Sequence, residues 1–145
     1  MAAKYTVHSS PVVLLNAGLN SGTFDDGDNI VSIAISNDGA AERDFFMKLR
    51  LSIAASSART GSSIKAYLIP EVNGVYRTGS VTVDPLKGFI GTFEFTQDTA
   101  AGVDIIDKIS IPNCDFKILL INEIGVTLAA TGNELEYEID SYEDV

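Results

Sequence analysis

The side chains that most often carry out catalysis are scarce in this chain of 145 residues, which has one histidine, His8, and one cysteine, Cys114. A Ser-His-Asp triad or a Cys-His pair would have to use His8, near the start of the chain. A zinc site needs at least three converging nitrogen, sulfur or carboxylate ligands. We therefore expect no catalytic residues, no cofactor and no transition-metal site, and we predict that the chain is not an enzyme.

Three carboxylates, Asp25, Asp26 and Asp28, crowd one Gly-containing loop. Oxygen ligands gathered in this way could bind calcium. The EF-hand spacing fails, because counting from Asp26 places Val31 where the motif has Gly and Asn37 where it has Glu. The cluster is typical of a turn with solvated aspartates, and calcium binding stays open.

The acidic run over residues 134–144 could supply paired carboxylates for glycoside hydrolysis. Its glutamates alternate with Leu135, Tyr137 and Ile139. Alternation with period two indicates a half-buried antiparallel strand with one apolar and one acidic face. We interpret the acidic side as a solvated face and not as a catalytic cleft.

Three aromatic residues, Phe46, Tyr67 and Tyr76, alternate with apolar residues of the predicted core. Each therefore lies on the face of its strand that points away from the core. Such residues either cover the second face of a sheet or form a contact surface, because exposed aromatic groups mark interfaces. With Tyr5 and Val7 of an extended N-terminal arm, they are our predicted partner-binding residues. The arm could add a strand to the sheet edge of a neighbour.

The balance of 10 basic and 20 acidic residues gives a net charge of -10. Such a charge repels phosphate backbones and anionic lipids, so we expect neither nucleic acid nor a membrane as partner. A single cysteine excludes an internal disulfide and is typical of a protein made in a reducing cytoplasm. We see no apolar leader and no run of about 18 apolar residues, and expect neither a classical export signal nor a membrane anchor.

Alternation with period two recurs along the chain, most cleanly over 45–53, and Asn73-Gly74 is a two-residue hairpin signature. Turn signals separate eight to ten short strands, and no amphipathic segment has helical period over more than two turns. These features predict an all-β, jelly-roll-like antiparallel sandwich of two sheets. We divide the chain into an arm or edge strand over 1–10 and a single β-sandwich domain over 11–145.

Four local predictions follow from the same pattern. Residues 115–140 are predicted to form three short strands separated by two turns, and residues 54–63 a flexible loop. A strand over 30–36 is predicted to place Val31, Ile33 and Ile35 on one face. A strand over 89–95 is predicted to place four residues on one side: Phe89, Gly91, Phe93 and Phe95.

Two segments carry a family resemblance. Residues 67–76 form a strand with a proline near its end and an Asn-Gly hairpin, and residues 110–135 contain a Phe-Lys strand, a Gly turn and the run Ala-Ala-Thr-Gly-Asn-Glu-Leu. In these features the sequence resembles the small jelly-roll capsid decoration, or cement, proteins of tailed bacteriophages. The matching motifs are turns and strands and include no catalytic residue.

The resemblance implies a structural virion protein, made in the host cytoplasm and located on the capsid surface. It would bind the major capsid protein and itself, as a homo-oligomeric dimer or trimer, and stabilise contacts between capsid subunits. Another reading is a carbohydrate- or receptor-binding β-sandwich of a phage tail or fibre. A third is a β-sandwich hydrolase that uses the Asp25, Asp26 and Asp28 cluster.

Overall fold

The computed structural model describes residues 3–6, 12–15, 17–37, 44–76 and 87–144. In these ranges all regular structure is β, and no helix has the length and hydropathy of a membrane span. The ten strands are β1 (Ala3–Thr6), β2 (Val12–Leu15), β3 (Asn29–Val31), β4 (Asp44–Ile53), β5 (Ser63–Val72), β6 (Val75–Tyr76), β7 (Phe89–Glu94), β8 (Gly102–Ser110), β9 (Phe116–Glu123) and β10 (Glu134–Asp144).

The strands form two antiparallel sheets. In the first sheet β10 lies beside β4 and β4 beside β8, while the other edge of β10 pairs with β2 and β1. In the second sheet the order is β3-β9-β5, and β5 also pairs with β7 and β6. If β1 and β6 are set aside and the other eight are renumbered along the chain, the orders are 1-8-3-6 and 2-7-4-5. This is a jelly roll, which confirms the predicted fold class.

The core lies between the sheets, where the period-two pattern places it. On β4 the side chains of Met47, Leu49 and Leu51 are fully buried, and on β9 those of Phe116, Ile118 and Leu120 face them from the other sheet. Leu135 is also fully buried, and Tyr137 and Ile139 pack at the margin. Alternation therefore located the core faces of these three strands correctly.

The prediction of three strands over 115–140 is wrong, because the structure has only β9 and β10 there. The run between them crosses from one sheet to the other and is held by side chains and a few single backbone hydrogen bonds instead of a strand ladder. The Asn122 amide donates to the carbonyl oxygens of Phe24 and Val126 and accepts from the Ile124 amide. A buried side chain thus satisfies backbone groups that a strand neighbour would otherwise satisfy.

The prediction that Val31, Ile33 and Ile35 share a face is also wrong. Val31 pairs with Leu119 and Ile35 with Phe116, so this strand has one more residue than its partner, as in a β-bulge. The Ser32 hydroxyl accepts from the Ile118 amide at 2.9 Å within the irregularity. As a result Ile35 enters the core, while Ile33 is 68% exposed.

The hairpin at Asn73-Gly74 is confirmed. Both residues have positive φ, 51° and 77°, as a type I′ turn requires. The turn pairs Val72 with Val75 and Glu71 with Tyr76. Ala3–Thr6 of the proposed arm forms β1, an edge strand that pairs with residues 141–144 of β10.

Candidate functional site

The outer face of the second sheet carries a second apolar cluster, separate from the core. Ile69 of β5 and Leu119 and Ile121 of β9 point away from the sandwich, yet they are 2%, 0% and 5% exposed. The side chains that pack against them are Val31, Tyr67 and Tyr76. Covering an outward cluster in this way indicates that this sheet face is more than a solvated surface.

Phe89 joins this face, contrary to the prediction that it lies on the same side of its strand as Phe93. The pairing of β5 with β7 shifts register between Ala66 and Tyr67, opposite Gly91. Phe93 is fully buried, whereas Phe89 is 56% exposed and its ring meets the Tyr67 ring edge to face at 5.5 Å. A glycine inside a strand often marks such a bulge, and this was the one sequence signal for the change of face.

We call Tyr67, Phe89 and Tyr76 the aromatic patch. The Lys117 ammonium lies 4.2 Å from the centroid of the Tyr76 ring, a cation–π contact. Burial, followed by the charges of Glu71 and Asp115, raises the pKa of the Tyr76 hydroxyl. The phenol is therefore neutral at neutral pH and can donate a hydrogen bond to a partner.

The hairpin between β5 and β6 ends close to the patch in sequence and exposes two aliphatic side chains. Val72 and Val75 lie opposite each other across the turn and are 57% and 64% exposed. Exposed apolar groups that cluster beside aromatic ones are typical of contact surfaces. Val72 and Val75 alternate with Glu71 and Tyr76 and therefore point to the other face of the hairpin, so the aromatic patch alone is the candidate on this sheet face.

Among the predicted contact residues whose side chains the structure describes, Tyr67 and Tyr76 are brought together and Phe46 is not. Tyr67 and Tyr76 both cover the outward cluster of the second sheet. Phe46 lies on β4 of the first sheet, outside that group. Tyr5 pairs with Tyr142 in the β1–β10 ladder of its own chain, and Val7 lies outside the described residues.

The three aspartates of the 25–28 loop are engaged in hydrogen bonds within the chain. The Asp28 carboxylate accepts from the Asp25 amide, and the Asp26 carboxylate accepts from the Gly125 amide. The Asp25 carboxylate accepts a short hydrogen bond from the Thr127 hydroxyl. In the described ranges no three His, Cys, Asp or Glu side chains are placed to hold a metal ion. The loop instead ties the start of the sandwich to the segment after β9.

Glutamates 134, 136 and 138 line the outer face of β10 and are half-buried. The Arg50 guanidinium of β4 lies 3.3 Å from the Glu136 carboxylate. A hydrogen bond with Glu134, then burial and the Glu134 charge, raise the pKa of Glu136 above its usual value, and Arg50 opposes them. Among the described residues, Glu136 is engaged by Arg50 and Glu134 on this strand face.

We expect Glu134→Gln to stabilise the protein at pH 7 by up to about 1 kcal/mol. A raised pKa means that the folded state prefers protonated Glu136, so ionisation of Glu136 destabilises the fold as pH rises through that pKa. The substitution removes the repulsion, and its benefit should vanish at pH 3, where the carboxylates are protonated. Urea unfolding at both pH values measures this effect, with Glu138→Gln as the matched control. An equal gain at pH 3 would contradict the charge explanation.

Comparisons with known proteins give structural neighbours only, since no family model and no curated protein matches the sequence. One similar structure is the CBM36-1 domain of a multidomain xylanase from the hindgut metagenome of Trinervitermes trinervoides, with a TM-score of 0.39 and 11% identity over 82% of this chain and 74% of that chain. Another is the carbohydrate-binding module CBM36 in complex with calcium and xylotriose, with a TM-score of 0.40 and 13% identity over 99% and 98%. The jelly-roll assignment rests on the strand order of this chain.

Proposed function

We propose that this chain is a non-enzymatic attachment protein that binds a folded protein surface through the aromatic patch. The observation that carries the proposal is Phe89, which a β-bulge turns out of the core and leaves 56% exposed against Tyr67. Burying the exposed part of this side chain on a partner yields about 1 to 1.5 kcal/mol, roughly half the value for a fully exposed side chain. A contact of this kind needs no reactive group.

The geometry of the rings favours a protein partner over a sugar. The Tyr67 and Phe89 rings meet at an interplanar angle of 65°, so they do not present one flat platform. The patch lies over an outward aliphatic cluster, Ile69, Leu119 and Ile121, against which Tyr67 and Tyr76 pack. Two aromatic rings at an angle, above an aliphatic cluster, suit the irregular apolar pockets that anchor residues fill in protein interfaces.

The partner we propose is the major capsid protein of a tailed phage, on the outside of the capsid. The support is the sequence resemblance to capsid decoration proteins, which covers residues 67–76, the strand and hairpin that carry most of the patch. A repeating lattice offers many copies of one site. Weak single contacts made by an oligomer on such a lattice would combine into stable attachment through effective concentration.

The first test is co-sedimentation of the purified protein with phage heads that lack it. Phe89→Ala should weaken binding about tenfold or more, because truncating an aromatic anchor commonly costs over 1 kcal/mol. Its effect on the free energy of unfolding should stay within about 1.5 kcal/mol, the range of an aromatic pair. Ile33→Ala is the matched control, since Ile33 is an exposed apolar residue beyond the opposite edge strand. Equal binding by the two variants would refute the patch.

A second candidate function is glycan binding, which the three rings on one sheet face favour because aromatic faces pack on apolar ligand surfaces. A glycan array and titration calorimetry with the hits would test it. Saturable sugar binding lost in Phe89→Ala, together with no binding to heads, would replace the capsid proposal. Saturable binding to heads with no glycan affinity would exclude the second candidate.

A further inference from the structure

The outer face of the first sheet lies on the opposite side of the sandwich from the aromatic patch. It carries four parallel rows of side chains, one row on each of the strands β2, β10, β4 and β8. Pairing across the strands places Val13 of β2 beside Glu136 of β10, Glu136 beside Arg50 of β4, and Arg50 beside Ile105 of β8. All four point outward, because their chain neighbours Leu14, Leu135, Leu49, Leu51 and Ile106 pack in or against the core. The order across the sheet is therefore apolar, acidic, basic, apolar.

This order is self-complementary. A second copy can face this sheet across a twofold axis that runs parallel to the strands and passes between β10 and β4. In that arrangement β10 of one copy lies over β4 of the other, and β2 lies over β8. The axis places Glu136 of one copy over Arg50 of the other, and Val13 over Ile105. The same operation places Glu138 over Lys48, because these two residues are also paired across the strands. Two such faces can pack in the aligned manner of β-sandwich sheets, about 10 Å apart.

The exposed fractions leave these groups available. Val13 and Ile105 are 44% and 50% exposed, and the Arg50 side chain is 49% exposed although it contacts Glu136. A guanidinium has five N–H donors, so Arg50 can bind a second carboxylate. An open groove of about 220 Å³ runs among Lys48, Arg50, Ile105, Glu136, Tyr137 and Glu138 and can receive side chains of the facing copy.

From this pattern we propose that the outer face of the first sheet is a homodimer interface, with a second copy of this chain as its occupant. At normal strand spacing the described rows cover roughly 14 Å by 14 Å, an area on the order of 200 Å². This is well below the ~800 Å² per partner of a stable complex. The dimer is therefore weak and reversible. Resting on the proposed function, it would turn both aromatic patches outward and let one dimer join two neighbouring subunits.

The test uses charge reversal and sedimentation equilibrium of the purified chain, without phage heads. Lys48→Glu with Arg50→Glu should weaken dimerisation at least tenfold, and so should Glu136→Lys with Glu138→Lys. Mixing the two double variants should restore dimers, as heterodimers, because acidic rows then face basic rows across the interface. Circular dichroism checks that each variant is folded, and the chain with all four changes should dimerise like the original.

The outcomes separate this inference from the proposed function. A chain that stays monomeric up to about millimolar concentration, or double variants whose mixture does not associate, would overturn the dimer and leave the aromatic patch untouched. Should a reversed variant fail to fold, Val13→Asp with Ile105→Lys tests the same axis, since these side chains meet only between copies. Unchanged dimerisation in Val13→Asp alone would also overturn it. If Phe89→Ala no longer binds heads but still forms dimers, the aromatic patch is supported and the dimer interface stands as well.

Discussion

Replacing Arg59 with methionine is expected to lower the free energy of unfolding by about 2 to 5 kcal/mol, because it leaves two carbonyl groups without their donor. Arg59 is 3% exposed. Its Nε donates to the Thr96 carbonyl at 2.8 Å, and one Nη donates to the Ala100 carbonyl at 2.7 Å and to the Asp98 carboxylate at 2.9 Å. The side chain thereby fastens the loop after β4 to the loop between β7 and β8.

Urea unfolding of Arg59→Met and Arg50→Met measures the difference between a buried and an exposed arginine. Arg50 makes one ion pair on a half-exposed surface, so its loss should cost less than about 1 kcal/mol. Arg59→Lys should fall between the two, because one ammonium cannot reproduce the planar fork that reaches both loops. Equal midpoints for the two methionine variants would show that the buried hydrogen bonds contribute nothing net.

Sequence periodicity identified the strands and core faces because each strand alternates by itself. Met47, Leu49 and Leu51 alternate with polar residues, and no other part of the chain is needed to place them. Face assignment failed where two strands pair with unequal numbers of residues, at Ile33 and at Phe89. Register between distant segments decides such bulges, and a single strand does not contain that information.

The same reason explains which parts of the candidate site were foreseen. Tyr67 and Tyr76 follow from alternation around the Asn73-Gly74 turn, and the structure places both on the outward cluster. Phe89 was expected on the same side as Phe93, and only its pairing opposite Tyr67 turns it outward. The self-complementary face of the first sheet needed three strand registers at once, so it could not be derived from the acidic run of β10 alone.

The polar residues that fix the loops were missed altogether. Arg59 stands in a stretch predicted to be a flexible loop, Asn122 stands near the end of β9, and Asn133 stands in the segment between β9 and β10. Each is buried because loops distant in sequence close over it: the Asn133 side chain reaches Leu19, 114 positions away. Composition marks such residues as solvent-exposed, and only the closed sandwich shows which backbone groups they must satisfy.

Asn133→Asp is expected to cost about 3 kcal/mol or more at pH 7, although it changes little in size. Asn133 is 2% exposed, and its amide Nδ2 donates to the carbonyl oxygens of Leu19 at 3.1 Å and Ala129 at 2.7 Å. A carboxylate there would face two carbonyl oxygens with no proton to donate. Removing donors from buried acceptors and burying an unpaired charge both destabilise the folded state.

The pH dependence separates this explanation from a loss of packing. The new carboxyl should have a raised pKa in the folded state, because burial and the two carbonyls disfavour its charge. The penalty is therefore greatest above that pKa and should shrink as pH falls below it, when a protonated carboxyl can donate to one carbonyl. Urea unfolding between pH 7 and pH 4 checks this, with Asn113→Asp, in the exposed turn before β9, as the same change outside the core. A penalty that does not change with pH would mean that shape, and not the missing donors, sets the stability at this position.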